Sequence, residues 1–304
     1  MSRPFVDNTR RASFSLLRRR ARQAYRAGRF EEALALYDQA WQWAKTHGNA
    51  DDVDRAFCGR ASVAIEIGSA DPHVAELRAI LLRSRSDENC FLAANNIGRA
   101  YELKRDHKKC EFYARIARDR AELLGSREWL ASAHNLLGNA CLAESRTEEA
   151  RQEYLCALDL IPPAMKVWRA LIDQNLGYAA VVSGDLRTGF GLLYGSLRAL
   201  RSAGALRYPT AVHVDLAFAH LEANRPLSAL RHARRAADVA AQEGDSETRK
   251  NALYLLGEAA NQLRMTAEAR DSYARLQQEF FPASRNLPEL LLGMSVRNLV
   301  SLRA

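Results

Sequence analysis

The sequence predicts an all-α protein built from stacked helical hairpins. Apolar residues recur at helical spacing along the chain, and no segment shows the strict alternation typical of a β-strand. A Leu or Ile followed by a small residue also recurs at intervals of 39 or 40 residues, at Ile97-Gly98, Leu137-Gly138, Leu176-Gly177, Leu216-Ala217 and Leu256-Gly257. A fixed period of this length is typical of a repeat array. Because Gly inside a helix costs ~1 kcal/mol relative to Ala, we interpret these residues as points where two helices approach closely.

Each repeat is predicted to contain two helices joined by a short polar turn. The first helix carries the small residue and ends at one of six segments: AGRF (27–30), KRDH (104–107), ESRT (144–147), SGDL (183–186), ANRP (223–226) and LRMT (263–266). A second helix follows, with another small residue twelve positions after the first, at Ala33, Cys110, Ala150, Gly189, Ala229 and Ala269. These marks predict that the second helix of each hairpin packs back on the first.

Helix-terminating residues bound the second helices and set the domain limits. The second helices end at a glycine or a proline pair, at Gly48, Gly125, Pro162-Pro163, Gly204 and Gly244, which are typical helix stops. We therefore assign residues 1–12 to a basic N-terminal tail, 13–286 to the repeats and 287–304 to a C-terminal capping helix. Surplus Leu residues in 287–304 leave self-association as an alternative role for that helix.

These features resemble the tetratricopeptide repeat (TPR) family. The resemblance is carried by LLGNACLAESRTEEARQEYLCALDLIPP (136–163), which has Leu-Gly, Ala, Tyr, Ala and Pro at the family's positions, and by AGRFEEALALYDQA (27–40). The period near 40 residues exceeds the family's usual ~34, so longer second helices are expected. The resemblance implies a right-handed superhelical solenoid of about seven units, with a concave groove lined by first helices. It also implies binding of a peptide or partner protein in that groove rather than catalysis.

Polar side chains on the predicted first helices make the groove a candidate binding site. In the TPR fold, positions flanking the small residue face the concave side, and here they are rich in amides: Asn95, Asn96, Arg99, Asn135, Asn139, Gln174, Asn175 and Tyr178. Asn and Gln both donate and accept hydrogen bonds, so they suit the backbone of an extended peptide without requiring a particular side chain. The alternative is that Asn is common at these places in the family and binds nothing.

The N-terminal segment concentrates the positive charge of the chain. Residues 1–29 contain nine Arg and one Asp, a surplus of eight that equals the whole formal net charge of +8. The helical pattern places a basic patch on one face, at Arg18, Arg19, Arg22 and Arg26. The patch is either a solvated helix face or a surface for an acidic protein, nucleic acid or an acidic membrane. Ser13, in RRASF (10–14), resembles a basophilic kinase site and is also a suitable helix N-cap.

No sequence motif predicts catalysis, a metal site or a cofactor. The chain lacks a His-Glu-x-x-His pair, a phosphate-binding loop and a nucleophile elbow, and its seven His are scattered. GFGLLYG (189–195) places its glycines inside a predicted second helix, where they suit close packing rather than dinucleotide binding. The five Cys form no Cys-x-x-Cys pair, and Cys110, Cys141 and Cys156 are interpreted as small packing residues. No apolar run reaches the ~20 residues that a membrane span needs.

The sequence therefore predicts a non-enzymatic, cytoplasmic interaction scaffold or adaptor that binds a partner protein or peptide. Only six of its 44 basic residues are Lys, a bias that a GC-rich bacterial genome produces, which favours a bacterial regulatory protein. The alternative function is that of a nucleic-acid-associated factor that uses the Arg-rich first helix. The sequence leaves the partner, the pathway and the oligomeric state open.

Overall fold

The computed structural model describes residues 3–205 and 208–293, with side chains from residue 13 onward. These residues form no strand, so the predicted all-α class is confirmed for them. The helices are α1 (Arg3–Arg26), α2 (Phe30–His47), α3 (Ala50–Glu66), α4 (Asp71–Arg83), α5 (Asp87–Leu103), α6 (His107–Leu123), α7 (Arg127–Ala143), α8 (Thr147–Leu160), α9 (Lys166–Val182), α10 (Leu186–Ser202), α11 (Tyr208–Glu222), α12 (Pro226–Glu243), α13 (Ser246–Gln262), α14 (Thr266–Phe280) and α15 (Leu287–Gly293).

The chain forms two compact units, residues 1–161 (unit 1) and 162–304 (unit 2). In unit 1 the first helices of the hairpins, α1, α3, α5 and α7, pack side by side in one row, and α2, α4, α6 and α8 pack against that row. In unit 2 the corresponding row is α9, α11 and α13, covered by α10, α12 and α14. Helix α15 packs on α14 and begins the segment predicted as a cap, of which residues 294–304 lie outside the described part.

The six predicted polar turns are confirmed, and they share one geometry. The second residue of each four-residue turn has a positive φ: Gly28 (73°), Arg105 (58°), Ser145 (62°), Gly184 (86°), Asn224 (55°) and Arg264 (60°). The next residue donates its backbone N–H to a carbonyl five positions earlier, as Arg146 does to Cys141 at 2.9 Å. This is the Schellman closure of a helix C-terminus, which favours glycine at the left-handed residue. Arg105 and Ser145 adopt the same conformation without being glycine, because the packing of the hairpin fixes the turn.

The repeated glycine of the first helix marks the place where the second helix comes closest. A Cβ built at this glycine would meet a side chain sixteen residues further along, at 2.5 Å for Gly138–Tyr154, 2.3 Å for Gly257–Tyr273 and 2.9 Å for Gly177–Leu193. The three partner side chains are fully buried. The predicted close approach is therefore confirmed in these hairpins, and it explains why a helix interior accepts glycine.

Helix α1 extends further towards the N-terminus than the periodic pattern indicated. It begins at Arg3, so its backbone includes most of the segment assigned to a basic tail. Pro4 is compatible with this start, because a residue in the first turn needs no N–H for the helix. Ser13 consequently lies inside the helix rather than at its N-cap. The ring of Phe14 stacks on Trp43 of α2, with centroids 5.4 Å apart, and anchors this part of α1.

Replacing Gly138 by Ala should destabilise the protein, whereas the same change at Gly191 should not. The new Cβ at position 138 would overlap the buried ring of Tyr154, and such overpacking typically costs about 1–3 kcal/mol. Gly191 lies inside α10 with no atom within 4 Å of its Cβ position, so Gly191→Ala should gain roughly 0.5–1 kcal/mol of helix propensity. Chemical denaturation of both variants measures the free energy of unfolding, and equal shifts would contradict the proposed close contact.

Candidate partner-binding face

A strip of polar side chains crosses two neighbouring first helices of unit 1. Asn95 and Arg99 lie on α5, Asn135 and Asn139 lie on α7, and all four are half-buried. The residues on α7 follow those on α5 by forty positions, and the two helices are in contact. The repeat therefore places equivalent positions side by side. We call these four residues the α5–α7 strip.

Hydrogen bonds within the strip connect α5 to α7. The Ser132 hydroxyl on α7 donates to Asn95 Oδ1 on α5 at 3.3 Å. In the opposite direction, Asn139 Nδ2 donates to Glu102 Oε1 on α5 at 2.6 Å. The Tyr154 hydroxyl donates to Asn139 Oδ1 at 2.8 Å, which fixes the orientation of that amide. The strip is therefore part of the structure that holds consecutive hairpins together, as well as a candidate surface.

Arg99 connects α5 to the preceding first helix. Its guanidinium pairs with Glu66 at the end of α3 and donates to Ser62 Oγ at 3.4 Å. The Tyr25 hydroxyl at the end of α1 donates to the same Glu66 carboxylate at 3.1 Å. Burial favours the neutral form of Arg99, yet its pKa is raised overall because Tyr25, Glu66 and Glu102 stabilise the cation. Arg99 thus remains charged on the half-buried face, already opposite one carboxylate.

Asn96 does not belong to the exposed face on which the sequence analysis placed it. It is buried, with 2% of its surface exposed, and its Nδ2 donates to the Cys58 carbonyl oxygen of α3 at 2.7 Å. The side chain points between α5 and α3 because the backbone acceptor lies there. Asn96 is thus placed to hold two first helices together, and a ligand cannot reach it in this structure.

In unit 2 the predicted binding residues are more deeply buried than those of unit 1. Gln174 on α9 is buried and donates to Asp215 Oδ2 on α11 at 2.7 Å. Tyr178 is also buried, and its ring lies 5.5 Å from that of Phe218 on α11. Asn175 is half-buried on α9. Of these three residues, only Asn175 remains in reach of a partner.

Two of the four arginines in the basic patch of α1 form ion pairs with acidic residues of unit 1. Arg18 pairs with Glu88 at 3.1 Å, and burial lowers its pKa although Glu88 counteracts this effect. Arg26 forms an ion pair with Glu128. The other two patch residues are exposed, Arg19 and Arg22. Sequence reasoning missed Glu88 and Glu128, although both stand in the first turn of a first helix, forty residues apart.

Other site types have no counterpart in the part of the chain that the structure describes. No cluster of three or more His, Cys, Asp and Glu side chains there could hold a metal ion. No described helix is long and apolar enough to cross a membrane.

Cys110 and Cys141 are buried, as predicted for packing residues, and burial raises the pKa of both thiols. The same prediction for Cys156 is wrong, because its side chain is exposed on the outer side of α8.

Comparisons with solved structures identify the fold. A Rap protein in complex with competence and sporulation factor is similar with a TM-score of 0.74 at 12% identity, covering 88% of this chain and 76% of that one. Aspartyl phosphate phosphatase F from Bacillus subtilis gives 0.62 at 8% identity, with 90% and 72% covered. A signal-transduction ATPase with a tetratricopeptide repeat sensor from Pyrococcus horikoshii gives 0.63 at 14% identity, with 92% of this chain but only 46% of that one covered.

These likenesses confirm the resemblance to TPR proteins at the level of the fold. At such low identities they carry no activity or partner to this chain. No family model and no curated protein matches the sequence.

Replacing Asn96 by Ala should destabilise the protein more than replacing its neighbour Asn95. Asn96→Ala removes a buried hydrogen bond between α5 and α3, a loss of about 1–3 kcal/mol. Asn95→Ala removes a half-exposed hydrogen bond, for which water can substitute, so its effect should stay within about 0.5 kcal/mol. Chemical denaturation of the two variants checks this difference, and an equal loss of stability would show that both amides have the same structural role.

Proposed function

We propose that this protein is a non-enzymatic interaction scaffold that binds an extended segment of a partner protein along the α5–α7 strip. The observation that carries this proposal is the placement of Asn95 and Asn135, two half-buried amides at equivalent positions on adjacent helices. Packed helices lie ~8–10 Å apart, and an extended chain rises ~3.3 Å per residue. The two amides would thus meet backbone groups about three residues apart on the bound segment.

Arg99 gives the strip a preference for acidic partners. Its guanidinium stays charged, and Arg99 lies on α5 one turn after Asn95. An acidic side chain or a C-terminal carboxylate of the bound segment would compete with Glu66 for it, and guanidinium groups favour bidentate pairing with carboxylates. The similar Rap protein was solved with competence and sporulation factor bound, which supports a binding role for arrays of this fold.

We further propose a cytoplasmic regulatory protein or adaptor in a bacterium, which the strong bias of Arg over Lys supports. The rival function, nucleic-acid binding through the Arg-rich first helix, has less support from the ion pairs of α1. Arg18 and Arg26 are paired with Glu88 and Glu128, so half of the basic patch is already neutralised. The affinity for nucleic acid would fall steeply as the salt concentration rises. The affinity of Asn side chains that form hydrogen bonds to a peptide backbone would change little.

Site-specific photo-crosslinking tests the place of binding. A photoreactive residue at position 95 should capture a defined partner in cells, because this position lies on the proposed face. The matched control carries the same residue at position 112, where Phe112 of α6 is exposed on a second helix. Equal capture from both positions, or none from position 95, would exclude the strip as the binding face.

The captured partner then allows an affinity measurement. Asn95→Ala combined with Asn135→Ala should weaken binding ~10- to 30-fold, since each hydrogen bond contributes about 1 kcal/mol. The control removes two exposed amides of second helices, with Gln39→Ala and Gln152→Ala, and should leave the affinity unchanged. Titration calorimetry measures both double variants. An unchanged affinity of the strip variant would mean that the partner binds elsewhere, and a steep salt dependence would favour the nucleic-acid alternative.

A further inference from the structure

Unit 2 contains a pocket of about 210 Å³ between the end of α10, the first turn of α11 and the middle of α12. Its lining includes two guanidinium groups, an imidazole and a hydroxyl, from Arg201, Arg235, His213 and Thr210, and no carboxylate. Among the described residues, neither Arg201 nor Arg235 forms an ion pair with an acid. Glu243 accepts a hydrogen bond from Thr210 at 3.4 Å but is not part of the lining. Among the described lining residues, no carboxylate balances these two positive charges.

A directed chain of hydrogen bonds begins at this pocket. An Arg guanidinium can only donate, so Arg201, 2.9 Å from His213 Nε2, makes that nitrogen an acceptor. The neutral His213 ring must then carry its proton on Nδ1, which donates to His232 Nδ1 at 2.7 Å. His232 in turn carries its proton on Nε2, which donates to the Tyr194 hydroxyl oxygen at 3.3 Å. One cation thus fixes the tautomers of two imidazoles.

The far end of the chain is a buried histidine. The Tyr194 hydroxyl donates to His220 Nε2 at 2.9 Å, so the proton of His220 lies on Nδ1. That nitrogen is buried and has no hydrogen-bond partner among the described residues. All three imidazoles are therefore neutral with assigned tautomers, and among the described groups of this network only the Nδ1–H of His220 is left without an acceptor.

The surroundings keep the imidazoles neutral in the free protein. Burial, together with the neighbouring His232, Arg201 and Arg235, lowers the pKa of His213 to about 4. Burial likewise lowers the pKa of His220 to about 4, with His232, Arg225 and Arg231 adding to the effect. Tyr194 of α10 is the other titratable group of the chain. Glu243 is hydrogen-bonded to Thr210, which lines the pocket with His213.

We propose that this pocket binds the phosphate group of a ligand, and that binding is coupled to the uptake of one proton by His213. Two guanidinium forks match the several oxygens of a phosphate, as they do at other phosphate sites. Thr210, in the first turn of α11, adds a hydroxyl group to the lining. Neither the α5–α7 strip nor its partner takes part in this site.

The coupling follows from the hydrogen bond between Arg201 and His213. When a ligand oxygen accepts the Arg201 N–H, His213 Nε2 loses its donor and its lone pair becomes available. A proton from water then binds to Nε2, and the resulting N–H donates to the ligand. The imidazolium then faces an anion as well as the two guanidinium groups, so the pKa of His213 rises towards its ordinary value on binding. The affinity should therefore increase as the pH falls.

Sulfate is the appropriate probe for this coupling, because it stays a dianion over the pH range of the test, so that any proton taken up binds to the protein. Titration calorimetry on the full chain should show sulfate binding that strengthens about tenfold between about pH 7.5 and about pH 5.5. His213→Gln retains an acceptor for Arg201 but cannot titrate, and should abolish the pH dependence. Affinity that is independent of pH in the wild type would overturn the coupling.

Neighbouring arginines on α12 provide a matched pair for the site itself. Arg235→Gln should weaken sulfate binding about tenfold, whereas Arg234→Gln, which removes a group paired with Glu268 outside the pocket, should change it less than twofold. Equal effects of the two variants, or no sulfate binding at all, would overturn the proposed site. Inorganic phosphate and O-phosphoserine are then compared at about pH 7.5. Tighter phosphoserine binding assigns the pocket to a phosphorylated side chain, and tighter inorganic phosphate assigns it to the free ion.

Discussion

The contact between a small residue on the first helix and a bulky side chain on the second is the constraint on which the hairpins depend. Tyr154 lies over Gly138, Tyr273 over Gly257, and Leu193 over Gly177, each sixteen residues apart. The ring or branched side chain fills the space that a Cβ would occupy, so each glycine and its partner form one packed unit. Within each unit, the period of about forty residues brings equivalent positions of neighbouring first helices side by side.

The contact between Gly138 and Tyr154 is also linked to the proposed binding face by a hydrogen bond. Tyr154 not only covers Gly138 but also donates its hydroxyl to Asn139, the next residue of α7, and Tyr273 makes the equivalent bond to Glu258 at 3.4 Å. Asn139 then donates to Glu102 of α5. The packing of one hairpin is thereby linked, through a single amide, to the position of the preceding hairpin. Polar residues of the face accordingly serve both the assembly of the repeats and the proposed recognition of a partner.

Periodicity explains what sequence analysis predicted well. The glycine positions, the six turns and the helical class follow from spacings along the chain, because each reports on contacts within one hairpin. Spacing did not separate Asn95 from Asn96, although one is half-buried and the other buried, since this depends on a carbonyl oxygen of α3. Spacing also did not predict the ion pairs of Arg18 with Glu88 and of Arg26 with Glu128, because the two residues of each pair are 70 and 102 positions apart in the sequence. The turns at Arg105 and Ser145 were predicted, but their left-handed backbone was not, because that conformation is typical of glycine.

A double-mutant cycle between positions 138 and 154 tests the central contact most directly. Ala233 occupies the position equivalent to Tyr154 in the repeat whose first helix already carries a Cβ, at Ala217, so Tyr154→Ala copies a pairing that this fold accommodates elsewhere. If the ring of Tyr154 is what excludes a Cβ at position 138, Gly138→Ala should cost at least ~1 kcal/mol less in the Tyr154→Ala background than in the wild type. Chemical denaturation of the four proteins gives this coupling energy. Additive effects would contradict the account, because they would mean that Gly138 and Tyr154 do not constrain each other.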